Sequence, residues 1–199
     1  MSALLLFIKN PIPGKTKTRL AADVGNDMAL KMYHVLTDWT RQQASALTGV
    51  HRYLWYSNSV TENDAWPAAD YDKHLQQGDD LGQRMEHALA HAFAAGHDRA
   101  VIIGSDCPGV TTAYLESAFA QLDDHDLVVG PALDGGYTLL GMRTLHPKLL
   151  RNVEWSTESV LPVTLERAAA ANLSVHQLPP LSDVDYLADW LGYGWPMPT

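Results

Sequence analysis

The sequence predicts an α/β protein in which a mostly parallel sheet lies between two layers of helices. Short apolar runs, long enough for strands but too short for helices, recur along the chain. Segments with helical spacing of apolar residues alternate with them. One run, residues 100–104, is apolar throughout, which is typical of a strand that is covered on both faces. The alternation implies right-handed crossovers and a three-layer α/β/α sandwich.

The first half of the chain is predicted to contain three strands and two helices. Asn26 is a suitable cap for the first helix, and Gly96 ends the second. Residues 58–80 are rich in Asp, Gly and Pro and are expected to form a variable connection. The predicted elements are strand 3–8, helix 26–47, strand 50–56, helix 81–95 and strand 100–104.

The second half is predicted to continue the alternation, with one reversal. Thr111 or Thr112 can cap a helix that ends at Leu122. A glycine-rich turn at 134–136 precedes a strand that runs antiparallel to its neighbour or lies at the rim. The remaining predicted elements are strand 126–130, strand 137–141, helix 158–171, strand 173–178 and helix 184–191.

Composition restricts the class of protein. The 199 residues, 46% of them hydrophobic, can form a substantial core, and no Pro/Gly/Ser-rich linker interrupts them. We therefore predict one domain, 1–199. The formal net charge of −9 argues against a nucleic acid polymer or an anionic membrane surface as partner. The bound anion should be a small molecule.

Cysteine usage and the first apolar run indicate the compartment. Cys107 is the one cysteine, which excludes an internal disulfide and a multi-cysteine zinc site. The apolar run at 3–8 lacks a charged segment before it and is followed by Lys9, unlike a signal peptide or a membrane span. We expect a soluble cytoplasmic protein without membrane insertion, and the sequence does not predict an oligomeric state.

The most informative segment is the loop after the first strand. Residues 9–19 contain four of the fourteen Lys and Arg residues and no acid. A Walker P-loop needs Gly where Lys9 stands, and the lone Gly14 does not form a dinucleotide fingerprint. In an extended segment, Lys17 and Arg19 would point at one ligand. Lys9, Gly14, Lys17 and Arg19 are therefore predicted to bind phosphate, the alternative being a solvated basic loop.

Asp106 is the first metal candidate. It follows strand 100–104 and so should lie at the same edge of the sheet as the basic loop. A carboxylate opposite Lys and Arg suits Mg²⁺, or Mn²⁺ in its place, bridging protein and phosphate oxygens. The alternative is a turn in which Asp106 accepts backbone amides before Pro108. Cys107 is expected to be a small buried thiol.

A second carboxylate follows the last predicted strand. Asp183 and Asp185 would point the same way in an extended segment, and either could instead cap the helix that follows. Of the two, Asp185 is the predicted metal ligand.

Two further glycine-containing segments are candidates for substrate contact. Residues 134–137 combine a carboxylate, flexible backbone and an aromatic ring, which suits a sugar, although a plain turn explains the glycines equally well. Gln77 and Gly78 could contact the nucleotide at a helix start, where capping and exposure are the simpler account. His87 and His91 are four apart on a helix without the carboxylate of a metalloprotease motif, so we expect them to be exposed. The substrate candidates are Asp134, Gly135, Gly136 and Tyr137.

Five short motifs, weak alone but specific together, span nearly the whole chain. They are Lys9-x-Pro11-x-Pro13-Gly14-x-x-Lys17-Thr18-Arg19-Leu20, Gln77-Gly78-x-Asp80-Leu81-Gly82-x-Arg84-Met85, Gly104-Ser105-Asp106-Cys107-Pro108-Gly109, Gly130-Pro131-Ala132-x-Asp134-Gly135-Gly136-Tyr137 and Trp155-Ser156-Thr157. On these motifs the sequence resembles the DUF2064 group of the nucleotide-diphospho-sugar transferase superfamily, which has the glycosyltransferase type A fold.

The resemblance implies roles for particular residues. Lys17 and Arg19 match the loop that meets the nucleotide phosphates, and Asp106 matches the aspartate that holds the metal. The segment 183–189 is similar to an Asp-x-Asp-Thr-Pro-x-Asp segment of related cytidylyltransferases whose Asp completes metal binding. Tyr186 and Leu187 replace its Thr and Pro.

Three functions remain open at this point. The leading hypothesis is a Mg²⁺-dependent glycosyltransferase-like enzyme that uses a nucleotide-diphospho-sugar and a small acceptor, with Asp106 and Asp134 as catalytic residues. The alternative is a nucleotidyltransferase that joins a nucleoside triphosphate to a phosphorylated small molecule and releases pyrophosphate. The third is a non-catalytic nucleotide sensor.

Overall fold

The computed structural model describes residues 1–199 and contains seven strands, six α-helices and a 3-10 turn at Pro147–Leu149. The strands are β1 (Ser2–Ile8), β2 (Val50–Tyr56), β3 (Asp72–Leu75), β4 (Arg99–Ile103), β5 (Leu127–Pro131), β6 (Tyr137–Met142) and β7 (Val175–Gln177). The helices are α1 (Thr18–Val24), α2 (Asn26–Ala46), α3 (Leu81–Ala94), α4 (Thr112–Gln121), α5 (Val160–Ala170) and α6 (Leu187–Gly192).

All seven strands form one sheet in the order β3-β2-β1-β4-β6-β5-β7. Every neighbouring pair is parallel except the two pairs that β6 makes with β4 and β5. The six parallel strands therefore end at one edge of the sheet, which we call the carboxyl edge. Because β6 reverses direction, the β5–β6 turn lies at this edge as well.

The alternation of side chains along β1 divides the core into two clusters. Leu4, Leu6 and Ile8 pack on one face with residues of α2 and α4, and Ala3 and Leu5 pack on the other with α3 and Ala168 of α5. Apolar residues at every position of the strand are what a sheet covered on both faces requires. The predicted three-layer α/β/α sandwich is confirmed.

A third, smaller cluster holds the short helices at the carboxyl edge. Leu20 of α1, Met32 and Leu36 of α2 and Trp190 of α6 are each buried in it. Since α1 and α6 have only seven and six residues, their stability depends on this packing rather than on helix propensity. The cluster thereby fixes the segment after β1 against the end of the chain.

Two short elements, β3 and α1, are absent from the sequence prediction, and the start of the last helix differs by three residues. β3 lies within the predicted connection 58–80. Its sequence, Asp-Lys-His-Leu, is polar, as is usual for an edge strand, and so lacks the apolar pattern that predicts a strand. α1 begins inside the basic loop, where charge obscured the helical spacing. The last helix starts at Leu187 and not at residue 184, since residues 182–186 are extended or irregular. The strand 137–141 is antiparallel to both neighbours, one of the two predicted arrangements.

None of the six helices combines the length and the apolar character that crossing a membrane would require.

Five of the nine histidines surround two aromatic rings under α3 at the β2–β3 end of the sheet. His74 stacks on Trp55 with 4.6 Å between ring centroids, and its ring lies 4.6 Å from that of His91. Tyr53 hydrogen bonds to His97 over 3.0 Å. Burial lowers the pKa of His74 below its ordinary value, and the neighbouring His91 lowers it further. The patch comprises His51, Tyr53, Trp55, Asp72, His74, His87, His91 and His97.

Acidification should destabilise the protein partly through His74. Its pKa is lower in the folded than in the unfolded protein, so the stabilisation is complete above about pH 6.5 and is lost as the pH falls through the folded value. Urea unfolding at pH 7.5 and 5.5 should show a smaller pH-dependent loss for His74→Gln than for the wild type. His34→Gln, on the exposed face of α2, is the control and should behave as the wild type. An equal loss in all three proteins would contradict the expectation.

Candidate active site at the carboxyl edge

The basic loop after β1 has a fixed shape. Thr16 Oγ1 donates to the carbonyl of Asn10 at 2.9 Å and accepts from the Ile12 amide at 3.2 Å. The Asn10 side chain bonds to the segment after β2, accepting from the Asn58 amide at 2.9 Å and donating to the Ser59 carbonyl at 2.8 Å. The loop is therefore tied both to itself and to the neighbouring strand end, which limits where its cations can lie.

Tyr33 of α2 links the loop to the segment after β4. Its hydroxyl accepts from the Lys9 amide at 2.9 Å and donates to the Lys9 carbonyl at 2.8 Å. The same hydroxyl lies 3.2 Å from Ser105 Oγ, one residue before Asp106. Burial raises the pKa of Tyr33 to about 12, so the hydroxyl stays protonated. The ends of β1 and β4 are thus held at a fixed separation.

Lys17 lies at the junction of the loop and α1. Its backbone is left-handed, with φ of 52°, and it precedes the first residue of α1. Its side chain is only 4% exposed and points across the carboxyl edge. The ammonium contacts Asp106 Oδ2 at 2.8 Å and Asp185 Oδ1 at 3.2 Å. One lysine therefore joins two segments that are 79 residues apart in sequence (185 − 106).

Arg19 completes a group of four charged residues. Its Nη1 lies 2.9 Å from Asp185 Oδ2, and its side chain is 60% exposed. The prediction of an extended segment through Lys17 and Arg19 is wrong, because Arg19 belongs to the first turn of α1. Both side chains nevertheless reach Asp185. We call Lys17, Arg19, Asp106 and Asp185 the ion cluster.

The charges of the ion cluster stabilise one another. Burial alone would lower the pKa of Lys17, but Asp106 and Asp185 outweigh it and raise that pKa above its ordinary value. Burial alone would raise the pKa of Asp106, but Lys17, with a smaller contribution from Lys9, holds it below its ordinary value. Both groups are thus charged near neutral pH.

Asp183 lies beside the ion cluster without a cation of its own. Burial, and then the charge of Asp106, raise the pKa of Asp183 to about 7, and Asp134 and Asp185 add smaller contributions. Its segment is anchored to the Asp106 loop, since the Val184 amide donates to the Asp106 carbonyl at 3.0 Å. Four carboxyl groups therefore share this part of the edge with one buried ammonium.

Neither Asp183 nor Asp185 caps α6, which removes the alternative role considered for them. The carboxylate of Asp189 accepts from the amides of Asp185 and Tyr186 at 2.9 and 2.7 Å, and Tyr186 is the residue that precedes the helix. Accepting backbone amides in its own turn is not the main contact of Asp106 either, because its Oδ2 is bonded to Lys17. Cys107 is buried and donates to the Ser182 carbonyl at 3.3 Å.

The β5–β6 turn places Asp134 near this group and Tyr137 away from it. Asp134 Oδ1 accepts from the Gly136 amide at 3.0 Å, as in a plain turn. Gly135 has φ of +91°, and a Cβ there would lie 2.5 Å from the backbone of Glu158. The hydroxyl of Tyr137 is buried without a hydrogen-bond partner, and its ring meets the edge of Trp155. Tyr137 therefore stabilises the turn from inside and does not face the ion cluster.

Gln77 and Gly78 lie at the carboxyl edge next to α3, outside the ion cluster. They line a polar groove of about 680 Å³ together with Gln83, Glu86 and Arg151. Asp80 caps α3 by accepting from the Gln83 amide at 2.8 Å, and the Gly78 carbonyl accepts from Arg84 at 3.0 Å. Gly14 is exposed, with φ of +71°, and a Cβ there would face the side chain of Asn26. His91 is exposed as expected, but His87 is half-buried.

The carboxylates of the ion cluster fit a small divalent cation. Asp106 Oδ2 and Asp185 Oδ1 approach the same ammonium, so both oxygens already converge on one position for positive charge. No set of three His, Cys, Asp or Glu side chains forms a complete metal site anywhere in the protein. Mg²⁺ commonly takes one or two carboxylates and completes its six ligands with water and phosphate oxygens. Two converging carboxylates at the carboxyl edge meet the protein's share of that requirement.

Gly82, in the first turn of α3, packs closely against Leu150 and Trp155. A Cβ on Gly82 would lie 2.1 Å from the Leu150 carbonyl and 2.8 Å from the ring of Trp155. Trp155 in turn packs against Tyr137. The second and fifth sequence motifs are therefore in direct contact, with only a hydrogen atom of Gly82 between helix and indole.

Sequence reasoning did not single out several residues that shape this edge. Tyr33 carries no signal in the sequence, because an aromatic residue at apolar spacing on a helix does not indicate that its hydroxyl bridges two strand ends. Asn10 was likewise missed, since its partners after β2 become neighbours only in the folded sheet. The sequence predicts Asp185 as the ligand, but spacing alone does not separate it from Asp183.

The chain is similar to proteins of one family and to several solved structures. A family model described as "Uncharacterized protein conserved in bacteria (DUF2064)" matches residues 37–157. The crystal structure of a "putative nucleotide-diphospho-sugar transferase" from Desulfovibrio desulfuricans G20 is 36% identical, with a TM-score of 0.85. That match covers 93% of this chain and 82% of the other. Among curated proteins, no sequence matches this chain.

Two more distant structures share the fold. CMP:2-keto-3-deoxy-manno-octonic acid synthetase, complexed with CTP, is 11% identical with a TM-score of 0.56, and the match covers 96% of each chain. Glucosyl-3-phosphoglycerate synthase from Mycobacterium tuberculosis, in complex with Mn²⁺, UDP and glucosyl-3-phosphoglycerate, is 12% identical with a TM-score of 0.56. That match covers 96% of this chain and 75% of the other. At these identities the likeness concerns the fold alone.

Gly82→Ala should destabilise the protein, because the added methyl group must displace either the Leu150 carbonyl or the Trp155 ring. We expect the free energy of unfolding to fall by about 1–3 kcal/mol, the usual cost of overpacking. Gly192→Ala is the matched control, since nothing lies within 4 Å of a Cβ there. In urea denaturation the control should change stability by less than about 1 kcal/mol. Equal effects of the two substitutions would refute the close packing.

Proposed function

This chain belongs to the DUF2064 family, and we propose that it is a divalent-metal-dependent transferase that moves a sugar from a nucleotide-diphospho-sugar to a small acceptor. The observation that carries the proposal is the ion cluster. Lys17 and Arg19 approach Asp106 and Asp185 at the edge where the parallel strands end. This edge of an open α/β sheet is where such proteins bind phosphorylated ligands.

Lys17 and Arg19 would offset the charge of the diphosphate. As the bond to the sugar breaks, negative charge on the leaving diphosphate increases, so contacts from fixed cations strengthen toward the transition state. Arg19, which is 60% exposed and has a planar guanidinium, suits a bidentate contact with phosphate. Lys9, whose backbone is bonded to Tyr33 and whose charge lowers the pKa of Asp106, and the turn at Gly14 would complete the phosphate loop.

Asp106 and Asp185 would hold Mg²⁺ or Mn²⁺. The metal, when bound, supplies positive charge that neutralises the phosphates and orients them. Asp183, whose pKa is raised by the charge of Asp106, is a third carboxyl group at this edge. The proposal that this site binds a divalent metal is supported by the Mn²⁺ complex of a protein with the same fold.

The remaining candidates would position the substrate. Asp134, in the β5–β6 turn at the carboxyl edge, would orient the sugar or the acceptor as a second catalytic residue. Gly135 and Gly136 would let the turn approach the ligand, while Tyr137 supports that turn from the interior. Gln77 and Gly78, at the rim of a polar groove, would contact the nucleoside.

Nucleotidyl transfer is the second candidate. Lys9, Lys17 and Arg19 could balance much of the charge of a triphosphate, and a protein of the same fold is known in complex with CTP. In that reaction a phosphorylated substrate would attack the α-phosphorus and pyrophosphate would leave. A non-catalytic nucleotide sensor would keep the basic loop, but it would have no need for the convergence of Asp106 and Asp185.

A ligand panel followed by product analysis tests the proposal. Thermal unfolding is first measured with nucleoside diphosphates, triphosphates and nucleotide sugars, each with and without Mg²⁺ or Mn²⁺. The stabilising donors are then incubated with candidate acceptors and the products separated. Release of a nucleoside diphosphate supports glycosyl transfer, and release of pyrophosphate supports nucleotidyl transfer. Metal-independent stabilisation without turnover of any donor would instead favour a sensor.

Asp106→Asn should abolish the metal-dependent part of nucleotide binding, because the amide keeps the shape of the side chain but loses its charge. Calorimetry in Mg²⁺ and in EDTA should give a large affinity ratio for the wild type and a ratio near one for the variant. Asp124→Asn, an exposed aspartate after α4, is the matched control and should retain the wild-type ratio. An unchanged ratio in Asp106→Asn would rule out its metal role.

A further inference from the structure

We propose that Lys17 is an exchangeable internal cation, which leaves the carboxylates for the nucleotide phosphates when a divalent metal binds, so that metal and nucleotide bind with positive coupling. The inference rests on the proposed function and concerns how its site is regulated. The ammonium of Lys17 is shared between Asp106 and Asp185.

The carboxylates cannot serve two cations independently. The Lys17 ammonium lies 2.8 Å from Asp106 Oδ2 and 3.2 Å from Asp185 Oδ1, which is the position where both oxygens converge. A divalent cation that binds both carboxylates must therefore compete with Lys17. Because the Lys17 side chain is 4% exposed, water cannot replace the lost carboxylates unless the side chain moves.

The charge balance of the ion cluster favours joint binding. Lys17 and Arg19 contribute two positive charges, and Asp106 and Asp185 contribute two negative charges, so the four residues sum to zero. A metal that binds alone leaves an uncompensated ammonium, and a diphosphate that binds alone meets an ammonium already neutralised. When both bind, the metal takes the carboxylates and Lys17 takes the phosphate, so every charge keeps a partner.

The chain allows this exchange with little backbone movement. Thr16, adjacent to Lys17, is buried and bonded to Asn10, and Leu20 anchors α1 in the core. The backbone of Lys17 is therefore held on both sides, while its flexible four-carbon side chain can still move the ammonium. Arg19 cannot replace Lys17 in this role, since it contacts only Asp185 and is largely exposed.

Binding of Mn²⁺ alone gives the first test. Mn²⁺ is titrated into the wild type, Lys17→Met and Lys15→Met, and free Mn²⁺ is followed by electron paramagnetic resonance. Lys17→Met should bind Mn²⁺ at least about tenfold more tightly than the wild type, because the competing cation is gone. Lys15→Met removes an exposed lysine of the same loop and should match the wild type. Equal affinity in all three proteins overturns the exchange.

Pyrophosphate measures the coupling without assuming a base or sugar. Calorimetry compares pyrophosphate in EDTA with preformed Mn²⁺–pyrophosphate. The wild type should bind the metal complex at least about tenfold more tightly, and Lys17→Met should show a smaller ratio. A ratio near one in the wild type overturns the proposal even if the variant fails to fold. Thermal unfolding adds a check, since Mn²⁺ should stabilise Lys17→Met more than the wild type.

The two hypotheses fail differently. If the wild type binds neither pyrophosphate nor its Mn²⁺ complex, the proposed function loses its phosphate site. If the wild type binds Mn²⁺–pyrophosphate but Lys17→Met gains no affinity for Mn²⁺ alone, the proposed function stands and the exchange is wrong.

Discussion

The buried ammonium of Lys17 is the interaction on which the carboxyl edge depends. Two segments, one after β4 and one after β7, bring carboxylates to the same place, and like charges at that distance repel. Lys17 compensates them from a third segment, after β1. The hydrogen bond from Val184 to Asp106 and the links through Tyr33 keep the three segments in register. The sheet topology brings the two carboxylates together, and the charge of Lys17 allows them to stay there.

Sheet topology explains how segments that are distant in sequence meet at the carboxyl edge. With β4 next to β1, the basic loop and the Asp106 loop leave adjacent strands in the same direction. The reversed strand β6 returns the chain beside β4 and places the Asp134 turn at that edge without a crossover helix. The end of the chain then closes the group from the far side, because α6 packs with α1 and α2.

The sequence predicted the architecture well because strand and helix periods depend on local pattern. The strand at 100–104 and the helix at 81–95 are found within a residue of their predicted bounds. Lys17, Arg19, Asp106 and Asp185 could be named from motif and position, and the structure brings these four together. The inward orientation of Tyr137 and the bridging hydroxyl of Tyr33 could not be predicted, since both depend on contacts between elements far apart in sequence. β3 was missed because an edge strand needs no apolar pattern.

The two ends of the sheet carry strands of only four and three residues, β3 and β7. Such short borders offer few free amides and carbonyls to a strand from another molecule, and the exposed Asp72 adds charge at one of them. Lys73 binds back to Asp64 of its own chain at 2.8 Å. Pairing of two copies of this sheet edge to edge is therefore disfavoured by the shortness of its outermost strands.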